Sequence, residues 1–171
     1  MTNTNIKLQC ANLDLGSHVF DFSIDNEFFL SRDYDGFDSC QAKVNVKLDK
    51  EESMITIYLA ITGNVSVECD RCLDLMDIPV EVREIIIAKY GVGESNDESI
   101  MFVSPEDEYI DISSFVYDLV IVSLPVRKIH PDDENGNSTC NLKQLECLKS
   151  YQKQDSIDPR WEVLNSLKDN N

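Results

Sequence analysis

Met54-Ile55-Thr56-Ile57-Tyr58-Leu59-Ala60-Ile61 is the run that decides the fold. Ile55, Ile57, Leu59 and Ile61 fall on one side, and Thr56, Tyr58 and Ala60 on the other, which is the period of a β-strand. Upstream, Ala42, Val44, Val46 and Leu48 alternate with Lys43, Asn45 and Lys47, and Lys50-Glu51-Glu52-Ser53 turns the chain. Downstream, Gly63-Asn64 predicts a tight hairpin turn. Residues 65–69 then predict a further strand and residues 78–90 the next. Short strands at this spacing predict an antiparallel meander. Between the last two lies Cys69-Asp70-Arg71-Cys72-Leu73. Two thiols at this spacing can share a metal ion, form a disulfide, do redox chemistry or pack as small apolar side chains.

Further out, residues 6–10 and 16–24 also alternate and predict two strands. His18 lies in the second with no cysteine or histidine at ligand spacing, so it reads as a satisfied histidine. Phe28, Phe29 and Leu30 predict a turn of helix docking on the sheet, and residues 31–39 a loop. The period changes near Asp111. This residue can cap a helix whose apolar positions are Ile112, Phe115, Val116, Leu119 and Val120, ended by Pro125. Residues 130–138 read as loop. Residues 141–152 predict a second helix with a stripe of Leu142, Leu145 and Leu148. Asp158-Pro159-Arg160-Trp161 predicts a helix start, with Leu164 and Leu167 continuing the apolar face of Trp161. The reading is therefore α+β: an antiparallel meander in the first two-thirds with C-terminal helices packed on it. One domain spans 1–171, with a β-rich part (1–93), an acidic loop (94–110) and a helical part (111–168).

Composition bounds the function. With 42% hydrophobic and 27% charged residues, the chain reads as soluble and globular. The N-terminus has no signal-peptide core, and no apolar run reaches the length of a membrane helix. A cytoplasmic address follows, where thiols stay reduced, so the six cysteines read as ligands, core residues or free thiols. The net charge of −17 argues against non-specific nucleic-acid binding. Residues 94–118 hold eight carboxylates and no Lys or Arg. That is a solvated surface or one that meets a basic partner. No phosphate loop, nucleophile elbow or metalloprotease pattern is present, so no catalytic residue and no small-molecule substrate is expected.

Three features in order resemble the YceD family of large ribosomal RNA subunit accumulation proteins. They are Cys69-Asp70-Arg71-Cys72-Leu73 after a hydrophobic hairpin, a helix ending Leu124-Pro125-Val126, and Asp158-Pro159-Arg160-Trp161 with Leu164 and Leu167. The resemblance runs over roughly residues 43–167. It implies a small, acidic, non-enzymatic cytoplasmic protein that supports 23S rRNA accumulation and large-subunit biogenesis. The partner would be a ribosomal or rRNA-processing protein, with direct rRNA contact the other route. Many members carry a second compact cysteine pair between the long helix and the Asp-Pro-Arg segment. Here that region has only Cys140 and Cys147.

A zinc site needs four ligands, and Cys69 with Cys72 supplies two. Cys140 and Cys147 would lie about 10 Å apart along a helix at about 1.5 Å per residue. His130 with Cys140 is therefore the better completing pair. The alternative is a thiol redox protein with Cys69 as nucleophile and Cys72 as resolving thiol. Such pairs favour helix N-termini, whereas this one follows a strand. A metal-free turn with packed thiols is the third reading. Arg127, Lys128 and Arg160 are the basic residues available for a partner or RNA. Three cations would give a salt slope of only about −2 to −3, so a basic protein partner is the preferred reading.

Overall fold

The computed structural model describes residues 4–93, 95–97 and 99–151. Its main sheet has five strands in the order β2 (Gly16–Asp25), β3 (Ser39–Lys50), β4 (Met54–Glu68), β5 (Leu75–Tyr90) and β6 (Ile100–Val103). The pairings from β2 to β5 are antiparallel. β1 (Lys7–Gln9) and β7 (Tyr109–Asp111) form a separate two-stranded ribbon. Three helices complete the described chain: α1 (Asn26–Leu30), α2 (Ser113–Ser123) and α3 (Leu142–Tyr151). The α+β architecture expected from the change of period is observed.

Strict alternation makes the sheet one-sided. Val44, Val46 and Leu48 of β3 and Ile55, Ile57 and Ile61 of β4 are fully buried. Each such side chain stabilises the fold by about 1.5–3 kcal/mol relative to exposure. Their neighbours face outward in rows, such as Val19–Lys47–Tyr58–Ile85. Ile6, Leu8, Ile110 and Ile112 of the ribbon region and Val116 and Val120 of α2 share the core with the inner face. Ile6 N–H donates to the buried Ser113 Oγ at 2.7 Å, which ties the N-terminal strand to the start of α2. Asp111 Oδ1 accepts from Ser113 N–H at 2.9 Å, so the expected capping residue does satisfy an end of the helix. Leu124 is extended after α2, as a residue before proline should be. Asp25 caps α1, and Phe28 and Phe29 plug the core while Leu30 is exposed.

Four local expectations are corrected. Gly63-Asn64 is no turn: β4 runs through it, with Gly63 opposite Ala42 and Val80. A Cβ on Gly63 would lie 2.3 Å from Gln41 O and 2.5 Å from Ala42 Cα. Glycine is needed there for close strand approach. The reversal is at residues 69–74, and β5 begins at Leu75 rather than residue 78. β6 lies inside the expected acidic loop and runs parallel to β5, so the meander is not wholly antiparallel. Finally, α2 packs on the sheet, but α3 has no buried residue. Leu142 and Leu148 are exposed, and only Leu145 of the expected stripe packs inward. Residues 158–168 lie outside the described residues. No described helix is long and apolar enough to cross a membrane.

Candidate metal centre

The turn between β4 and β5 is the platform of the site. Cys69 N–H donates to Asp74 O at 2.9 Å, and Leu73 N–H to Cys69 O at 2.9 Å. Leu73 takes the left-handed conformation, with φ at 63°. The tight loop turns backbone N–H groups of Arg71 and Cys72 onto the Cys69 sulfur. Those of Asp74 and Asn141 point at Cys72.

A strap after α2 brings the other two donors. Asp70 clamps Lys128 twice: Asp70 N–H donates to Lys128 O at 2.7 Å, and Lys128 N–H donates to Asp70 Oδ2 at 2.6 Å. His130 follows two residues later and so is delivered to the turn. The strap then folds on itself through the Asp132–Ser138 bridge and the turn at Asp133–Gly136. It returns Cys140 to the same spot. Asn141 Nδ2–H donates to Asp74 Oδ2 at 3.0 Å, and Asn141 Oδ1 accepts from Lys143 N–H at 3.1 Å. One residue thus anchors the strap and caps α3.

The four expected ligands meet. Cys69 Sγ is 3.7 Å from Cys140 Sγ, Cys72 Sγ is 3.4 Å from His130 Nδ1, and Cys140 Sγ is 3.7 Å from His130 Nδ1. All four donor atoms lie within 4.8 Å of one another. Zinc–sulfur bonds of about 2.3 Å and zinc–nitrogen bonds of about 2.0–2.1 Å at tetrahedral angles give donor–donor edges of about 3.6–3.8 Å. The three separations of 3.4–3.7 Å lie close to these edges. The three thiols are buried with Ile129, Leu145 and Met76 around them. The residues therefore fit a four-coordinate metal ion. Cys147 is exposed on α3 and takes no part, as the helix geometry required. All six cysteines are free, and His18 instead contacts Asp14 O through Nε2 at 2.9 Å.

The electrostatics favour thiolates at Cys69 and Cys140. Burial opposes ionisation of Cys69. The N–H groups of Arg71, Cys72 and His130, with the His130 side chain, outweigh it and bring the thiol down to about 6. Cys140 is lowered too: burial is overcome chiefly by Arg71 and Ser138. Cys72 is raised, first by burial. His130 is raised, first by its bond to Cys69. Arg71 is the residue that spacing did not single out. Its Nε–H donates to Cys140 Sγ at 3.2 Å, and its Nη2 bonds Ser138 Oγ. A cation between two cysteines of a Cys-x-x-Cys is a weak signal, because only the strap gives it a third thiolate to touch.

The basic residues expected to meet a partner fare differently. Arg127 is exposed, whereas Lys128 is half-buried and shares a groove with Asp35, Asp38, Glu68 and Asp70. That acidic surround disfavours phosphate at Lys128. Arg160 lies outside the described residues.

A one-sided sheet whose central hairpin turn presents a Cys-x-x-Cys, completed by a histidine and a cysteine from a strap, defines an α+β protein with a cysteine–histidine cluster that could hold a metal ion. The family model described as large ribosomal RNA subunit accumulation protein YceD matches residues 57–168, and the chain belongs to that family. The match begins within β4 and takes in the turn, α2, the strap and α3, leaving β1 to β3 outside it. No curated protein and no solved structure matched the chain.

Proposed function

We propose that the protein is a non-enzymatic cytoplasmic factor that supports 23S rRNA accumulation and large-subunit assembly by holding a basic protein partner. The family match over residues 57–168 carries this reading. The net charge of −17 supports a protein partner over naked RNA, because the whole-molecule field repels phosphate and attracts a basic surface. Depletion of the protein is expected to lower the ratio of 23S to 16S rRNA. An unchanged ratio in depleted cells would overturn the reading.

Cys69, Cys72, His130 and Cys140 are proposed to hold a structural zinc ion. Four protein donors leave no open position for substrate, which distinguishes a structural from a catalytic centre. A bound ion would supply cross-linking between the β4–β5 turn and the strap. The third and fourth donors beside the Cys-x-x-Cys favour this over the thiol redox alternative, which needs only two thiols. Purified protein is expected to contain one zinc per chain. Cys140→Ser should lose it and Cys147→Ser should keep it, as read by elemental analysis.

A further inference from the structure

β5 is paired on one side by β4 along its whole length, but on the other side by β6 only at Ile87–Tyr90. Among the described residues no strand pairs with its second edge from Leu75 to Ile86. The direction of each backbone group on this edge follows from three hydrogen bonds. Cys69 N–H reaches Asp74 O, and Tyr90 N–H reaches Ser53 O, so even-numbered residues of β5 face β4. Ile87 N–H reaches Ser99 O on the other side. Antiparallel ladders alternate, so Leu75, Asp77, Pro79, Glu81, Arg83 and Ile85 direct their backbone groups outward. All six residues are exposed.

The edge is guarded but not closed. Pro79 sits at an outward position, where its missing N–H costs the sheet nothing. Ile85 N–H is met by Glu84 Oε1 at 3.2 Å. Among the described residues, the outward carbonyls and the N–H groups of Leu75, Asp77, Glu81 and Arg83 have no strand opposite them. The side chains alongside are acidic. Asp77 and Glu81 share the outer face with one cation, Arg83, which is already 3.2 Å from Glu81, and Glu84 lies on the other face of the strand.

We infer that the β5 edge over Leu75–Ile85 accepts an extended, Lys- or Arg-bearing segment of a partner protein by strand addition. Outward backbone groups would supply the ladder and the carboxylates the choice of partner. A second copy of this chain is disfavoured by charge, since both molecules carry −17. The inference deepens the partner reading above and rests on it only in taking the partner to be basic.

The test is fluorescence anisotropy of the full chain with a labelled Lys-Val-Lys-Val-Lys-Val-Lys peptide. Its control is the same peptide N-methylated at three consecutive central residues, which keeps the charge and blocks both strand edges. The methylated peptide is expected to bind about tenfold or more weakly, since several backbone hydrogen bonds are lost. Glu81→Pro, which removes an outward donor and a charge, should weaken binding further than Glu81→Gln, which removes the charge alone. Zinc content serves as the folding control for both variants. Equal binding of the two peptides would reduce the contact to charge alone and overturn the inference. So would absence of binding at low salt, or a dimer in sedimentation that Glu81→Pro abolishes. These outcomes are independent of the rRNA ratio in depleted cells, so failure here leaves that reading standing.

Discussion

Arg71 shows how much one side chain can do at this centre. Three thiolates and a neutral imidazole around a divalent ion leave one negative charge, and the Arg71 guanidinium lies against Cys140 Sγ. Outer partners of metal ligands typically change affinity by about 10–100-fold. Arg71→Met is therefore expected to weaken zinc binding by about that factor in chelator competition. The cobalt-substituted absorption spectrum should be unchanged, because the ligand set is intact. Cys69 sets the pH behaviour. Its folded value of about 6 lies below the ordinary 9.0. The stability it contributes to the metal-free protein is present above pH 9 and is lost as pH falls through about 6. His130, raised from 6.5, runs the other way and loses its contribution as pH rises. Thiolate absorbance of metal-free protein should show a step near pH 6 that Cys69→Ser removes. Zinc should leave the intact protein over the same range as protons compete for the sulfurs.

At the scale of elements, β4 is the long axis on which the rest is registered. Twelve residues of β3 and fifteen of β5 pair along it without a break in register. Gly63 is its tightest point. Gly63→Ala would place a methyl against Gln41 O and Ala42, and overpacking of this kind costs about 1–3 kcal/mol. A fall in the denaturation midpoint of that size, with zinc content retained, is the expected outcome. The apolar phase was informative here: Ile61, Gly63, Val65 and Val67 keep the parity of Ile55 and Ile57. A continuous strand needs that phase and a two-residue hairpin does not, so the correct strand was legible and the dipeptide signal misled. The parallel β6 was not legible, because its four residues, Ile100–Val103, carry no sign of direction.

At the scale of the whole molecule, the described residues form two unequal parts joined at the cysteine–histidine cluster. The sheet, the ribbon and α2 share a continuous apolar core. The strap and α3 are held mainly by the cysteine–histidine cluster, Leu145 and the Asp70–Lys128 and Asp74–Asn141 bonds. Chelation is therefore expected to release the strap and α3 while the sheet survives. Hydrogen exchange should rise sharply over residues 126–151 and stay low in β3 and β4, whose protection comes from buried apolar contacts. A global loss of protection would contradict this division.

Alternation in residues 42–61 determined the sheet by itself, because a period of two can bury one face only as a strand. The change of period after Asp111 determined α2 in the same way. Helical spacing set Cys140 and Cys147 too far apart to share one ion and made His130 with Cys140 the better pair to complete a site. What brought those four donors together was tertiary: the Asp70 clamp on Lys128 and the return of the strap from His130 to Cys140. The clamp joins residues about 60 positions apart, and local period carries no information at that range. The guarded β5 edge belongs to the same class. Whether a strand end is paired or open depends on what the rest of the chain lays beside it, and only the folded sheet decides that.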